Sequence, residues 1–541
     1  MYYSLLLFAV LLIHFTLCTR FATEEGVFLA RILAIDENDA RKIGRRHGFD
    51  AERKLQSFKD VYIGRRLRRR KREIEDEIIA EMVFSEQIQF IEKLYMFRRY
   101  KRAPMTNGGS PVHVWNLTPS MQIRQAWEAG FNASNVTVAV VDDGVDVAHI
   151  DLQAAFSPHV SFDFVRFGSL PLPKFSKDTQ HGTQCAGLVA MEGNQCGLGV
   201  GHGATLGAIR LLGQNELNDA LEGDALAFQK NSIDIYSVSW GPKDDGMTAE
   251  KPAKFTQDSI RNGATSGRSG LGNVFVWASG NGGTNGDNCA YDGYVSNEYT
   301  ISFGVVGSTG TPTDYAEGCS SVLAAVSGGD SMIKTTGLDS TCSVISGSSA
   351  SAAIASGIIA LALEANPTLT QRDIQHLIVH SSNASAIFNV EFQKNGEGFR
   401  FHPKVGYGLL DAKKLVENAV SWKNVGPKRT CIRSMLTSGT LDLSDCKAVS
   451  KIERVALTGS IIHPHRGKVR ILLESPRNTV SELLPLRPSD SSPDLIQWDF
   501  VSVHFFGEDP RGIWKLMISS EEDLEAEHFR VQLSQFKITG S

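Results

Sequence analysis

The stretch Gly347-Ser348-Ser349-Ala350-Ser351-Ala352-Ala353-Ile354-Ala355-Ser356-Gly357-Ile358-Ile359-Ala360-Leu361 decides how this chain is read. It is small or apolar all round, with no proline before Pro367, so the pattern predicts a helix buried on every face rather than an amphipathic surface helix. The N-terminus of a buried helix presents N–H groups without intrahelical partners and the positive end of the helix dipole. Ser349 falls where developing negative charge is stabilised. Two readings stand at this point: Gly347 and Ser348 cap a core helix, or Ser349 is a nucleophile.

Two other stretches favour the nucleophile. Val136 to Val141 is a β-branched run that ends in Asp142-Asp143-Gly144. In an open parallel sheet, chemistry gathers outside the carboxyl ends of the strands, which puts Asp142 at that rim. His181-Gly182-Thr183-Gln184-Cys185-Ala186-Gly187 runs on into Leu188 and Val189 and reads as a second helix entrance. A carboxylate that orients an imidazole, an imidazole that takes a hydroxyl proton and a hydroxyl that attacks an acyl carbon make a hydrolase triad. The order Asp, His, Ser is that of subtilisin. Around these residues the runs Val136 to Val141, Ile233 to Val238, Val274 to Ala278 and Ile301 to Val306 alternate with small-residue helices, the pattern of an α/β parallel sheet with helices on both faces.

The three motifs resemble the signatures of subtilisin-type serine proteases. Trp240-Gly241-Pro242-Lys243-Asp244-Asp245-Gly246 and Trp277-Ala278-Ser279-Gly280-Asn281-Gly282-Gly283 narrow the resemblance to the kexin/furin-like proprotein convertases, over nearly the whole chain. The resemblance implies that Asp142 orients His181, that His181 is general base and then acid, that Ser349 forms the acyl enzyme and that Asn281 completes the oxyanion hole. It places Asp244 and Asp292 at the basic residue before the scissile bond, Asp143 and Asp178 at the preceding one, and Glu222 and Glu250 near the pocket for a more distant arginine, with Tyr294 as a wall. A desolvated Lys or Arg needs such compensating charge. The loop Leu211-Leu212-Gly213-Gln214-Asn215-Glu216 departs from the family pattern by about one residue and lacks an acid beside Leu212, which implies looser selectivity at the penultimate position.

Calcium is implied in the same way: Asp244, Asp287 and Glu317 match a site beside the first specificity pocket, and Asp151 with Asn194 match another, while no EF-hand loop is present. Setting aside Cys18 leaves seven of the 8 cysteines. Family positions pair Cys196 with Cys342, Cys289 with Cys319 and Cys431 with Cys446, and leave Cys185 free beside His181, either a small buried hydrophobe or a thiol nucleophile. Ser348 stands where the family has threonine and Ala353 where it has proline, so no catalytic group is lost.

With 541 residues the chain is too long for one core, and its 42% hydrophobic and 21% charged content is that of an ordinary globular protein. Residues 19–102 hold 21 Lys+Arg against 15 Asp+Glu, a net of +6, which leaves −11 for residues 103–541 out of the total of −5. A basic leader precedes an acidic body, whose cleft concentrates basic substrates. Leu5 to Ile13 is too short to span a bilayer, and with Thr16-Leu17-Cys18-Thr19 it reads as a secretory signal over residues 1–19.

Residues 20–102 read as an α+β inhibitory prodomain, with an apolar stretch at Val27 to Leu33 and a helical one at Ile88 to Met96. It ends at Arg98-Arg99-Tyr100-Lys101-Arg102, where Arg99, Lys101 and Arg102 fit the family's autocleavage pattern. The internal cluster Arg65 to Arg72 is a candidate second cut, and His47 a candidate sensor of acidification. Residues 103–420 form the subtilisin-like domain. Residues 421–541, with strand-like runs at Val469 to Leu473, Ile496 to Val503, Gly512 to Leu516 and Val531 to Ile538, read as a β-sandwich. That texture resembles the jelly-roll-like P-domain of the family, or a generic binding module. Sequons at Asn116, Asn132, Asn135 and Asn383 fit a secreted glycoprotein.

Together these features lead us to expect a calcium-dependent serine endoprotease of the secretory pathway. Its substrates are proproteins, prohormones or proneuropeptides cut after paired or multiple basic residues, and its own prodomain is its inhibitor. A monomer is expected, with no nucleic-acid partner and no membrane anchor. A broad degradative subtilisin and an inactive homologue that binds prohormones are the rival readings.

Overall fold

A computed structural model describes residues 27–66, 87–102, 112–114, 119–174, 176–213, 217–330, 332–434, 439–522 and 528–541. The expected signal segment, Asn116 and most of the Arg65 to Arg72 cluster lie outside the described residues. Contacts divide the chain into two bodies, Met1–Arg98 with Gln214–Asp224, and Arg99–Gly213 with Ala225–Ser541.

In the smaller body, four antiparallel strands stand in the order Phe49–Lys54, Val61–Arg66, Val27–Ile32, Ile88–Leu94. The helix Glu37–Arg46 starts at Asp36, whose side chain accepts from Asp39 N, and packs Ala40 and Ile43 on Phe28, Ile32 and Phe49. His47 is the C-terminal cap of that helix. The helix expected from Ile88 to Met96 is instead the edge strand Ile88–Leu94, paired with Val27–Ile32. Two isoleucines and an aromatic in a seven-residue run fit a pleated, half-buried surface, and the sheet edge overrode the helical reading.

At the centre of the larger body lies a nine-stranded sheet in the order Ser382–Asn383, Leu409–Leu410, Val322–Ser327, Thr300–Val306, Val274–Ala278, Ile235–Val238, Thr137–Asp142, Thr205–Arg210, Phe162–Asp163. All neighbours run parallel except the edge pair of Ser382–Asn383 with Leu409–Leu410. Central strands such as Val274–Ala278 and Thr300–Val306 are buried throughout, as a sheet covered on both faces requires. The quoted stretch is the helix Ser348–Ala365, fully buried from Ser348 to Leu363. It contains Ala353 without interruption. His181 opens the neighbouring helix His181–Ala190, buried along its whole length.

Beyond residue 421 the chain forms two four-stranded antiparallel sheets. One has the order Arg429–Ser434, Arg530–Gly540, Ile452–Ile462, Leu495–Ser502, and the other Thr440–Asp442, Ile513–Ser520, Val469–Glu474, Val480–Leu484. Trp514 of one sheet meets Phe536 of the other edge-on at 5.4 Å. Val503 and Phe506 from this region join the main core around the parallel sheet. The disulfides are Cys196–Cys342, Cys289–Cys319 and Cys431–Cys446, as the family positions implied, and Cys185 is free and buried.

Candidate active site

Asp142 ends the strand Thr137–Asp142, and both its oxygens lie 2.9 Å from His181 Nδ1. Burial pulls the His181 imidazolium down, but the charge and hydrogen bond of Asp142, with the charge of Asp143, outweigh it and raise the pKa above the ordinary value. Among the described residues, His181 Nε2 is buried with no hydrogen-bond partner. Ser349, in the first turn of the core helix, donates its Oγ–H to the Ser239 carbonyl at 3.1 Å. Burial first, and then Asp142, push the Cys185 thiol well above its usual range, which makes it an inert core residue rather than a nucleophile.

Residues 99–102, expected to close the leader, fold with the larger body. Tyr100–Lys101 pairs antiparallel with Trp240–Gly241, and Arg102 N donates to the Ser239 carbonyl at 3.1 Å. This added strand carries the Arg102 carbonyl to the Ser349 N–H, 3.1 Å away. A helix-terminal N–H thus points at the carbonyl that precedes Ala103. The Asn281 side-chain oxygen accepts from Ser348 N at 3.0 Å, which ties this turn to the start of the core helix. Gly280 allows that turn, since its φ is +114° and a Cβ there would stand 2.3 Å from Glu317. Ser348 keeps a use for its hydroxyl, which accepts from Gly280 N at 3.3 Å.

The basic side chains of this strand meet acids in turn. Arg102 is buried, ion-paired with Asp292 and, at 3.4 Å, with Asp244, and it donates to the Ala278 carbonyl. Burial works against its charge, but Asp244, Asp292 and Glu317 outweigh burial and hold it protonated. A Cβ on Gly241 would lie 2.3 Å from the Arg102 guanidinium, so glycine clears its path. Lys101 Nζ reaches Asp143 Oδ2 at 3.0 Å. It meets the backbone carbonyl of Asp178 rather than the expected carboxylate. Arg99 donates to Glu250 at 2.7 Å and to the Tyr294 hydroxyl at 2.6 Å, with its guanidinium 5.0 Å from the ring centroid. Tyr100 is 42% exposed, so the position between the basic residues carries no pocket of its own. Glu222 is buried in the helix Asp219–Ala227, on the part that belongs to the smaller body.

Asp244, Asp287 and Glu317 gather behind the Arg102 seat. Burial, and then the charges of Asp244 and Asp287, push Glu317 well above the usual carboxylate range, and burial raises the other two as well. Glu317 is buried and Asp244 and Asp287 are half-buried, and three clustered acids with only oxygen to offer fit a hard divalent cation. At the second expected site, the two oxygens of Asp151 accept from Gln195 N at 2.9 Å and Cys196 N at 2.6 Å, while the Asn194 amide donates to the Ile150 carbonyl. These groups brace the 193–196 loop.

Ser239 and Ala278 escaped the sequence reading because they act through main-chain carbonyls, which leave no side-chain signature. Asn135 and Asn383 are exposed, whereas Asn132 is half-buried, its side-chain oxygen held by Ser134 N and Oγ.

Comparison with known proteins gives two family matches, the subtilase family over residues 133–408 and the proprotein convertase P-domain over residues 452–539. The chain is 73% identical to endoprotease aex-5 of Caenorhabditis elegans over 518 residues, 96% of each chain. It is 38% identical to human furin over 466 residues, covering 81% of this chain and 59% of furin. The fold resembles a serine protease of Aeromonas sobria with a TM-score of 0.68 at 21% identity, over 81% of this chain and all of the other.

Proposed function

Because this chain belongs to the subtilase family, in its proprotein convertase branch, and is a serine endoprotease, we propose that it cuts proproteins after paired or multiple basic residues and matures by cutting itself after Arg102. The reading rests on one observation: Arg99, Lys101 and Arg102 each meet an acid of the groove while Ser349 N donates to the Arg102 carbonyl.

In this reading Asp142 fixes the His181 tautomer, with Nδ1–H toward the carboxylate and Nε2 free to take the Ser349 proton. Ser349 Oγ adds to the Arg102 carbonyl carbon, and the oxyanion is held by Ser349 N–H and the Asn281 amide. Loss of one such donor costs roughly 3 kcal/mol of transition-state stabilisation. Collapse of the adduct breaks the bond to residue 103, and His181 returns its proton to the leaving amine. A water activated by His181 then releases the acyl group. Asp244 and Asp292 select arginine before the bond, Asp143 the preceding basic residue, and Glu250 with Tyr294 the arginine at 99. Glu222 is assigned to the same outer pocket by its sequence position.

Asp244, Asp287 and Glu317 are the residues that would hold calcium, and a bound ion would supply the positive charge that keeps these carboxylates ionised. The released leader remains as inhibitor. Three disulfides and the exposed sequons at Asn135 and Asn383 favour passage through an oxidising secretory lumen.

Secreted wild type and Ser349→Ala test the reading, by leader cleavage after Arg102 and by hydrolysis, with calcium, of Arg-X-Lys-Arg and alanine-substituted peptides. Maturation and basic-peptide cleavage by wild type alone are expected. Folded but uncut protein in both cases favours a binding role, and equal cleavage of both peptides overturns the basic specificity.

A further inference from the structure

We propose that Arg487, in the P-domain, is a positioning residue that sets the width of the arginine pocket in the peptidase domain. The inference rests on the assignment of Asp244 and Asp292 to the residue before the scissile bond.

Two loops form that pocket. The segment 243–250 carries Asp244 and Glu250, and the segment 287–294 carries Asp287, Tyr291, Asp292 and Tyr294. Arg102 is held between them, by Asp244 from one and Asp292 from the other. The pocket is therefore as wide as the separation of the two loops.

Arg487 holds both. Its guanidinium has no exposed surface and lies 3.8 Å from the Tyr291 ring centroid. Nη1 donates to the Thr248 carbonyl at 2.8 Å and to Asp287 Oδ1 at 3.0 Å, and Nη2 donates to the Met247 carbonyl at 2.8 Å. Asp490 anchors the guanidinium from the P-domain side and also pairs with Arg466 at 2.8 Å, whose Nη2 donates to the same Met247 carbonyl at 2.6 Å. Nearby, Trp498 Nε1 donates to the Ala290 carbonyl at 2.9 Å. A planar fork of donors can serve two carbonyls on one loop and a carboxylate on the other at once, and a lysine ammonium cannot reproduce that geometry.

The test uses secreted full-length wild type, Arg487→Lys, Arg487→Met and Arg372→Met, assayed at saturating calcium on Arg-X-Lys-Arg and Arg-X-Lys-Lys peptides, with melting temperatures measured alongside. Arg372 bonds Glu453 at 2.8 Å on another part of the P-domain seam, so its loss weakens docking without touching the groove. Arg487→Lys is expected to raise KM for the arginine peptide about 10-fold with kcat nearly unchanged, and to erode the preference for arginine over lysine. Arg487→Met is expected to do so more strongly. Arg372→Met is expected to lower the melting temperature alone. The proposal is overturned if Arg487→Lys keeps both KM and preference, or if Arg372→Met reproduces its shift. Should neither Arg487 variant be secreted, Arg466→Lys decides, with a smaller shift in the same direction expected and no shift counting against it. A wild type without basic preference refutes the functional reading itself, before any variant is made.

Discussion

Asp142 and Asp143 are adjacent residues with different work. Asp142 faces His181, and Asp143 accepts from Gly182 N at 2.8 Å and pairs with Lys101. The raised pKa of His181 has a kinetic consequence. In the proposed mechanism His181 must be neutral to act as base, so kcat/KM should climb with pH through a value above 6.5, the ordinary histidine pKa. Asp142→Asn removes the main raising influence, so this acid limb should move to lower pH, while the rate falls by roughly 10⁴-fold as the tautomer is lost. A pH–rate profile of both proteins checks this, and an unmoved limb would mean that another group titrates. These residue identities were legible in the sequence because each motif pairs a reactive side chain with the element that presents it. The donors and acceptors around them were not, because Ser239 and Ala278 contribute only backbone.

Among the elements, the short strand Trp240–Gly241 links the parallel sheet to the groove that holds residues 99–102. Trp240 is anchored by its indole N–H on the Val141 carbonyl at 2.8 Å and accepts from Trp277 at 2.8 Å, so the strand is held rigidly beside the carboxyl ends of Thr137–Asp142 and Val274–Ala278. Its free edge pairs with the incoming Tyr100–Lys101, a strand-addition mode that reads side chains alternately. Gly241→Ala leaves that pairing but intrudes on the Arg102 guanidinium. Its KM for peptides ending in arginine should rise about 10-fold with the melting temperature nearly unchanged, as peptide kinetics and thermal unfolding would record. Equal losses for an alanine-ending peptide would place the effect elsewhere. The edge strand Ile88–Leu94 makes the opposite point: its pattern read as a helix, and only pairing with Val27–Ile32 settled it.

At the scale of the molecule, the peptidase and P-domain regions share a charged seam. Glu453 accepts from Arg372 and His376, and although burial works to raise its pKa, those partners bring it down to about 2 from the usual 4.5. A depressed carboxylate contributes stability that is present above 4.5 and lost as pH falls toward 2. Wild type should therefore lose melting temperature across that window, whereas Glu453→Gln should start lower at neutral pH and depend less on acid. Parallel acid curves for the two would remove Glu453 from the seam. The family, the parallel sheet and the P-domain could be read from the chain alone, because each is written in side-chain type and order, whereas the cysteine pairs followed from family positions and the triad residues were candidates named by their motifs. Packing in three dimensions was needed to show that the strand Tyr100–Lys101 carries its basic neighbours into an acidic groove, that Lys101 meets the Asp178 carbonyl rather than its carboxylate, and that Arg487 spans the two pocket loops. Those contacts join residues 77 to 240 positions apart through backbone atoms, whose directions are set by packing and not by residue identity.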